Sequence, residues 1–208
     1  MKKQQLKETI DFLKSNGITS PEIGIVLGTG LGKLIAEISI EKEIAYSDIP
    51  NFPLATVEFH SGKLIYGSLS GKKVIVMAGR FHLYEGYNPW EVTYGIRAMH
   101  GLGIKNLLIS NAAGAINLNY KKGDLMLIED HINLQGSSPL AFQGANNFGN
   151  IFADMLAPYS AVLNTKIIAI AKAQNILLHQ GTYTSVLGPQ LETRAEYRML
   201  QVLETDAV

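Results

Sequence analysis

The segment Gly79-Arg80-Phe81-His82-Leu83-Tyr84-Glu85-Gly86 gathers side chains that hold anions or carry protons, directly after an apolar run ending at Ala78. If it stays extended, alternate residues Arg80, His82 and Tyr84 share one side. Arg80 offers a planar fork suited to bidentate phosphate binding, and His82 adds a further donor. Taken singly, Arg80 also reads as a surface ion-pair partner and His82 as a packing histidine; together, beside one strand end, they point to an anion site.

Three further segments carry related chemistry. Gly28-Thr29-Gly30-Leu31-Gly32 joins a strand to a short helix, where exposed N–H groups and the Thr29 hydroxyl suit a phosphate; a turn without ligand fits it equally. It is neither a dinucleotide fingerprint, because Lys33 stands where the last glycine belongs, nor a P-loop, because the spacing is one short and Leu34 follows Lys33. In Asn111-Ala112-Ala113-Gly114 small side chains let a ligand approach backbone N–H groups. In Gly188-Pro189-Gln190-Leu191-Glu192-Thr193 the Glu192 carboxylate can accept from a ligand N–H, with helix-dipole complementation as the plainer alternative. His60 follows a proline-containing loop and falls near the anion, while His100, His131 and His179 read as packing or surface residues. No HExxH spacing occurs, and neither His82 with Glu85 nor Asp130 with His131 comes with a third ligand, so no metal is expected.

The elements that must position these groups alternate between strand and helix. Apolar spacing predicts helices over residues 3–15, 90–100, 161–173 and 193–203. Strands are predicted over 23–27, 63–69, 72–78, 106–110 (buried), 123–128 and 182–187, with Ser70-Gly71 closing a tight hairpin. Residues 135–150 form a long polar loop, either functional or a subunit-contact arm. The result is an α/β fold, a single domain over residues 1–208 with a central mixed sheet flanked by helices, in which ligands gather beyond the carboxyl ends of strands. Thr205-Asp206-Ala207-Val208 reads as the start of another core strand, so a C-terminal portion is expected beyond it.

Lysine and arginine total 18 and so do aspartate and glutamate, leaving no net charge to draw the chain onto nucleic acid or an anionic membrane. Charged residues make up only 17%, below the roughly 25% of ordinary domains, which predicts surface covered by other copies. The apolar runs are far shorter than the ~20 residues of a spanning helix. The N-terminus lacks a secretory pattern. The absence of cysteine excludes disulfides and thiolate chemistry. A cytoplasmic location is expected.

The order of Gly28 to Gly32, His60-Ser61-Gly62, Gly79 to Gly86, Asn111 to Gly114, Gly123-Asp124-Leu125-Met126, Asp130-His131-Ile132-Asn133 and Gly188 to Thr193 resembles the trimeric purine nucleoside phosphorylases over nearly the whole chain. That resemblance implies phosphate held by Thr29, His60, Arg80, His82 and the Ala112 N–H, with Glu85 in support. It implies ribose met by Tyr84 and by Phe148 lent from a neighbouring subunit of a homotrimer. The purine would meet Ala112, Ala113, Gly114, Leu191 and Glu192, the last accepting from N1–H of a 6-oxopurine. His82 and Glu192 would be the catalytic pair. Thr29 stands where Ser is common and Leu191 where an aromatic is usual, so apolar packing replaces ring stacking. The resemblance also implies a later segment supplying an Asn to purine N7 and a His near the ribose. The expected reaction is reversible phosphorolysis of purine nucleosides, with phosphate as co-substrate and no cofactor. A methylthioadenosine phosphorylase and a non-catalytic nucleoside or phosphate binder are the alternatives.

Overall fold

A computed structural model describes residues 1–54 and 62–208. Contacts group them into two compact units, Met1–Ala112 with Ser138–Gly149, and Ala113–Ser137 with Asn150–Val208.

The first unit is built on a five-stranded sheet. Its strands are β1 (Ile23–Leu27), β2 (Ser39–Ala45), β3 (Lys63–Leu69), β4 (Lys72–Ala78) and β5 (Asn106–Ile109), in the order β2-β3-β4-β1-β5. β1 runs parallel to β4 and β5, and β3 runs antiparallel to β2 and β4, so the sheet is mixed as the hairpin implied. Ser70 and Gly71, at φ of 48° and 76°, are both left-handed, the turn that matches the twist of a two-residue hairpin.

β4 is apolar on both faces because both are covered. Ile75 and Met77 join Leu13, Tyr46, Phe52, Tyr94 and Met99 on one side, while Val74, Val76 and Ala78 join Ile25, Leu27, Ile38 and Ile65 on the other. Helix α1 (Lys2–Ser15) buries Leu13 into the first cluster, and its buried Thr9 hydroxyl bonds the Tyr94 hydroxyl at 2.7 Å. The helix expected over 90–100 is two: α2 (Pro89–Val92), capped by Asn88, and α3 (Tyr94–Leu102). The break falls at Thr93, whose hydroxyl donates to the Trp90 carbonyl at 3.3 Å, in competition with the helix ladder, and at 2.8 Å to the Pro89 carbonyl, which also accepts from the Thr93 N–H.

Two features of this sheet depart from expectation. β2 was not anticipated: its charged residues pair across the sheet, Glu43 with Lys63 and Glu41 with Lys73, and a bulge between Ile40 and Lys42 breaks the alternation that marks a strand. β5, expected to be buried, is an edge strand with Leu108 and Ile109 exposed, because β1 is its only partner among the described residues.

The second unit holds β6 (Leu125–Asn133) parallel to β7 (Leu178–Ser185), with α4 (Ala161–Ala173) and α5 (Arg194–Val202). β6 runs on past Ile128, where the sequence suggested it would stop; a bulge between Ile128 and Asp130 lets the polar stretch stay in the ladder. β7 starts at Leu178, earlier than expected, and ends at Ser185. Residues 135–150 are largely irregular, with one 3-10 turn over Ala145–Phe148. Ala207 is buried and bridges Tyr183 in parallel and Ala115 in antiparallel fashion.

Candidate active site

Three parallel strands of the first unit deliver their following loops to one edge of the sheet. Leu27 of β1 is level with Ala78 of β4, and Val26 is level with Ile109 of β5. The loops that carry Thr29, Arg80 and Ala112 therefore leave adjacent parallel strands at the same end of the sheet. This is where open α/β sheets bind ligands, since the ladder stops there and backbone N–H groups lose their partners.

Close packing ties the loops together. A Cβ on Gly28 would meet Asn111 Cα and the Ser110 carbonyl oxygen, each at 2.6 Å, so only glycine lets the β1 and β5 loops touch. The Ser110 hydroxyl donates to the Val26 carbonyl at 3.1 Å and accepts from the Gly28 N–H at 3.3 Å. Thr29 and Gly30 lie exposed at the tip, and Ala112 is exposed.

The arginine loop is anchored from below. Phe81 is buried in an aromatic cluster, 5.4 Å from Tyr46, 5.9 Å from Phe52 and 5.8 Å from Tyr87 between ring centres. The Tyr46 hydroxyl donates to the Gly79 carbonyl at 2.7 Å, and burial pushes its phenol far above the usual range. With Phe81 pointing inward, the flanking Arg80 and His82 turn together. The Arg80 Nε–H donates to His82 Nε2 at 3.2 Å. Glu85 closes the loop: one carboxylate oxygen accepts from the His82 backbone N–H at 2.8 Å and meets Nδ1 at 2.5 Å. This network assigns the proton to Nδ1 and leaves Nε2 as the nitrogen beside Arg80. Glu85 is almost wholly buried, its side chain only 5% exposed, which suits a support and not a ligand contact. Tyr84 stacks on the His82 ring at 4.7 Å and is 42% exposed. Partial burial raises the Tyr84 phenol pKa, Glu85 adds to the rise and Arg80 opposes it.

Phe148 packs in its own chain at 5.0 Å from Trp90 and 6.0 Å from Phe142, with the Arg97 guanidinium 5.7 Å from its ring. His60 lies outside the described residues.

In the second unit, Gly114 exchanges two backbone hydrogen bonds with Val208, at 2.7 and 2.9 Å, while Ala113 beside it is exposed. The loop before α5 contains a cis peptide at Gly188-Pro189, leaves Leu191 82% exposed and half-buries Glu192. The helix-start acid is Glu196 and not Glu192: its carboxylate accepts from the Thr193 N–H at 2.5 Å, and its own N–H donates to the Thr193 hydroxyl at 3.2 Å. Glu192 is thereby spared from capping. Among the described residues no group of three or more His, Asp or Glu could hold a metal ion.

Sequence reasoning missed Tyr46 and Ser110. Neither carries a local signal, because each matters only through a residue more than thirty positions away.

The family model described as "Phosphorylase superfamily" matches residues 22–208. Purine nucleoside phosphorylase 1 of Bacillus subtilis is 45% identical over 206 residues, covering 99% of this chain and 76% of that protein. The chain belongs to the purine nucleoside phosphorylase family. The Bos taurus purine nucleoside phosphorylase is 40% identical over 99% of this chain and 73% of its own length. Among solved structures, isoform 2 of purine nucleoside phosphorylase from Schistosoma mansoni, in complex with cytosine and ribose-1-phosphate, matches with a TM-score of 0.93 at 40% identity, over 99% of this chain and 74% of that one. Family membership explains why a glycine turn that fits neither dinucleotide nor P-loop patterns sits beside an arginine–histidine pair at the sheet edge.

Proposed function

We propose that this chain is a purine nucleoside phosphorylase, a pentosyltransferase that reversibly converts purine ribo- or deoxyribonucleosides such as inosine and guanosine, with phosphate, to free purine and (deoxy)ribose 1-phosphate. The observation that carries the reading is that the loops bearing Thr29, Arg80 and Ala112 leave three adjacent parallel strands at the same end of the sheet, with His82 held against Arg80. Arg80, His82, Thr29, His60 and the Ala112 N–H take the phosphate. Tyr84, and Phe148 of a neighbouring copy in a homotrimer, take the ribose. Ala112, Ala113, Gly114, Leu191 and Glu192 take the base.

A phosphate oxygen attacks C1′ while the bond from C1′ to the purine nitrogen breaks, its electron pair leaving with the base. Positive charge grows on the ribose and negative charge on the purine. The bound dianion stabilises the first, and Glu192, by accepting from N1–H, holds the base as it leaves. Donors already aimed at these charges lower the barrier without reorganising. Phosphate is the co-substrate and no cofactor takes part. One family model spanning both compact units supports reading them as one domain. We assign the protein to the cytoplasm; no helix of the described residues is long and apolar enough to cross a membrane.

Following base release from inosine, guanosine, adenosine and methylthioadenosine against phosphate concentration tests the reading. Inosine and guanosine turnover should saturate with phosphate, and Arg80→Ala should cost about 100- to 1000-fold, the usual loss of one well-aimed donor, with melting unchanged. Preference for either adenine nucleoside would overturn the base assignment. Binding without base release would support a binder instead.

A further inference from the structure

We propose that Asp206 is a positioning residue: its carboxylate locks the register of the segment that carries Ala113 and Gly114, and so sets affinity for the base while touching no substrate. The inference rests on the base contacts given to Ala113 and Gly114 above and adds the group that holds them.

Ala113 and Gly114 are exposed and have no side chain that could anchor them. Their segment is held through its backbone. Gly114 exchanges two hydrogen bonds with Val208, and the N–H groups of Ile116 and Asn117 both donate to the Asp206 carbonyl, at 2.8 and 3.0 Å. The other side of residues 206–208 is joined to β7: the Asp206 N–H donates to the Thr182 carbonyl at 2.9 Å, and the Thr184 N–H donates to the Ala207 carbonyl at 2.9 Å. Residues 206–208 therefore lie between residues 114–117 and β7, paired to both, and where they sit along β7 decides where Gly114 sits.

Backbone pairing in a stretch as featureless as Ala113-Gly114-Ala115 specifies register weakly, because the ladder repeats every two residues. The Asp206 side chain supplies the marker. One carboxylate oxygen accepts from the Asn117 side-chain amide at 2.8 Å, and the other accepts from the Thr182 backbone N–H at 2.9 Å. Asn117 is itself oriented, since its Oδ1 accepts from the Asn119 N–H at 3.1 Å and leaves the amide nitrogen to face Asp206. Gly181 leaves the room that the carboxylate fills, because a Cβ there would lie 2.7 Å from Asp206 Cγ. A slip one way puts Ala115 in the place of Asn117 and leaves an oxygen without its donor; a slip the other way draws Asn119 out of its bond to Asn117. A hydrogen bond to a charged group is equivalent to about ten- to a hundredfold in an equilibrium constant. Apparent affinity for the base falls with the fraction of chains that keep the competent pairing.

Exchanging the two partners tests this on the whole chain, by calorimetry with hypoxanthine and inorganic phosphate as separate probes. Asp206→Asn leaves one donor facing another however its amide is turned, and Asn117→Asp sets two carboxylates together. Each should weaken hypoxanthine about tenfold with phosphate affinity unchanged, and Asn117→Ala, which deletes one arm of the bridge without adding charge, should do the same if either single exchange fails to fold. The double variant Asn117→Asp with Asp206→Asn again matches each acceptor with a donor and should return hypoxanthine affinity to within about twofold of the wild type. Thr184→Val removes the buried 2.6 Å bond between the Thr184 and Thr205 hydroxyls, which does not involve Asn117. It should lower the melting temperature and leave hypoxanthine affinity unchanged. Unchanged hypoxanthine affinity in the broken variants, equal weakening of both probes, a double variant no better than the single ones, or a matching loss in Thr184→Val overturns the inference while the function stands. If the wild type binds phosphate but not hypoxanthine, the base site itself is wrong and the inference falls with it.

Discussion

Replacing Gly28 by alanine isolates the contact that joins two of the loops at the sheet edge. The added Cβ would lie 2.6 Å from Asn111 Cα and from the Ser110 carbonyl oxygen, about 0.8 Å inside ordinary van der Waals contact. Both obstacles are backbone, so no side chain can swing away and the β1 and β5 loops must part. Overpacking of this kind costs about 1–3 kcal/mol, or roughly 2–10 °C in melting temperature for a chain of this size. Thr29 and Ala112 move apart by a similar fraction of an ångström, and a misplacement near 1 Å costs on the order of 100-fold in rate. Gly32→Ala is the matched control, since its Cβ would meet nothing within 4 Å and neither glycine has a positive φ. Phosphate saturation of inosine turnover and thermal melting should show both losses in Gly28→Ala and neither in Gly32→Ala. Equal phosphate KM and turnover in the two variants would refute the argument that these loops jointly form the cradle.

Glu85→Gln should raise the phosphate KM by about ten- to a hundredfold, because it replaces a charged acceptor of the His82 Nδ1–H, a bond worth about 1.5–3 kcal/mol; an unchanged KM would contradict the support role. Tyr46→Phe leaves the buried Gly79 carbonyl without its donor and should cost about 1–3 kcal/mol in denaturant melts. The same variant should alter the alkaline limb of stability. Burial raises the folded-state pKa of Tyr46, so the folded chain keeps a proton that the unfolded chain loses above about pH 10. Stability present below that pH therefore falls as pH rises, by about 1.4 kcal/mol per pH unit for one such group, and Tyr46→Phe should show a shallower decline. Identical alkaline slopes would sink this account.

Much of the fold could be read locally. β1, the β3–β4 hairpin and α4 stand where apolar periodicity and the Ser70-Gly71 turn put them, because each of those signals lies within the element itself. The failures have a common cause. In β2 a bulge shifts the alternation, and its charges are neutralised by partners on other strands. At Thr93 one hydroxyl competes for a carbonyl within its own turn, a choice that composition does not reveal. β5 looks like a central strand from its apolar residues, yet whether a strand is central or peripheral depends on its neighbours.

The same division runs through the candidate site. The residue types of Arg80, His82, Tyr84 and Glu85 lie in one short stretch of chain, and alternation puts Arg80 and His82 opposite the inward Phe81; the segment does not stay extended beyond His82, because Leu83–Glu85 forms a 3-10 turn that lays Tyr84 on the His82 ring. That the loops carrying Thr29, Arg80 and Ala112 leave adjacent parallel strands at the same end of the sheet is a tertiary fact. It depends on β1 lying between β4 and β5 in a particular register, set by interstrand hydrogen bonds and by the missing Cβ of Gly28. Local sequence therefore supplied the chemical groups, while contacts between distant segments decided which of them meet, because hydrogen-bond register and close packing act only once those segments are side by side.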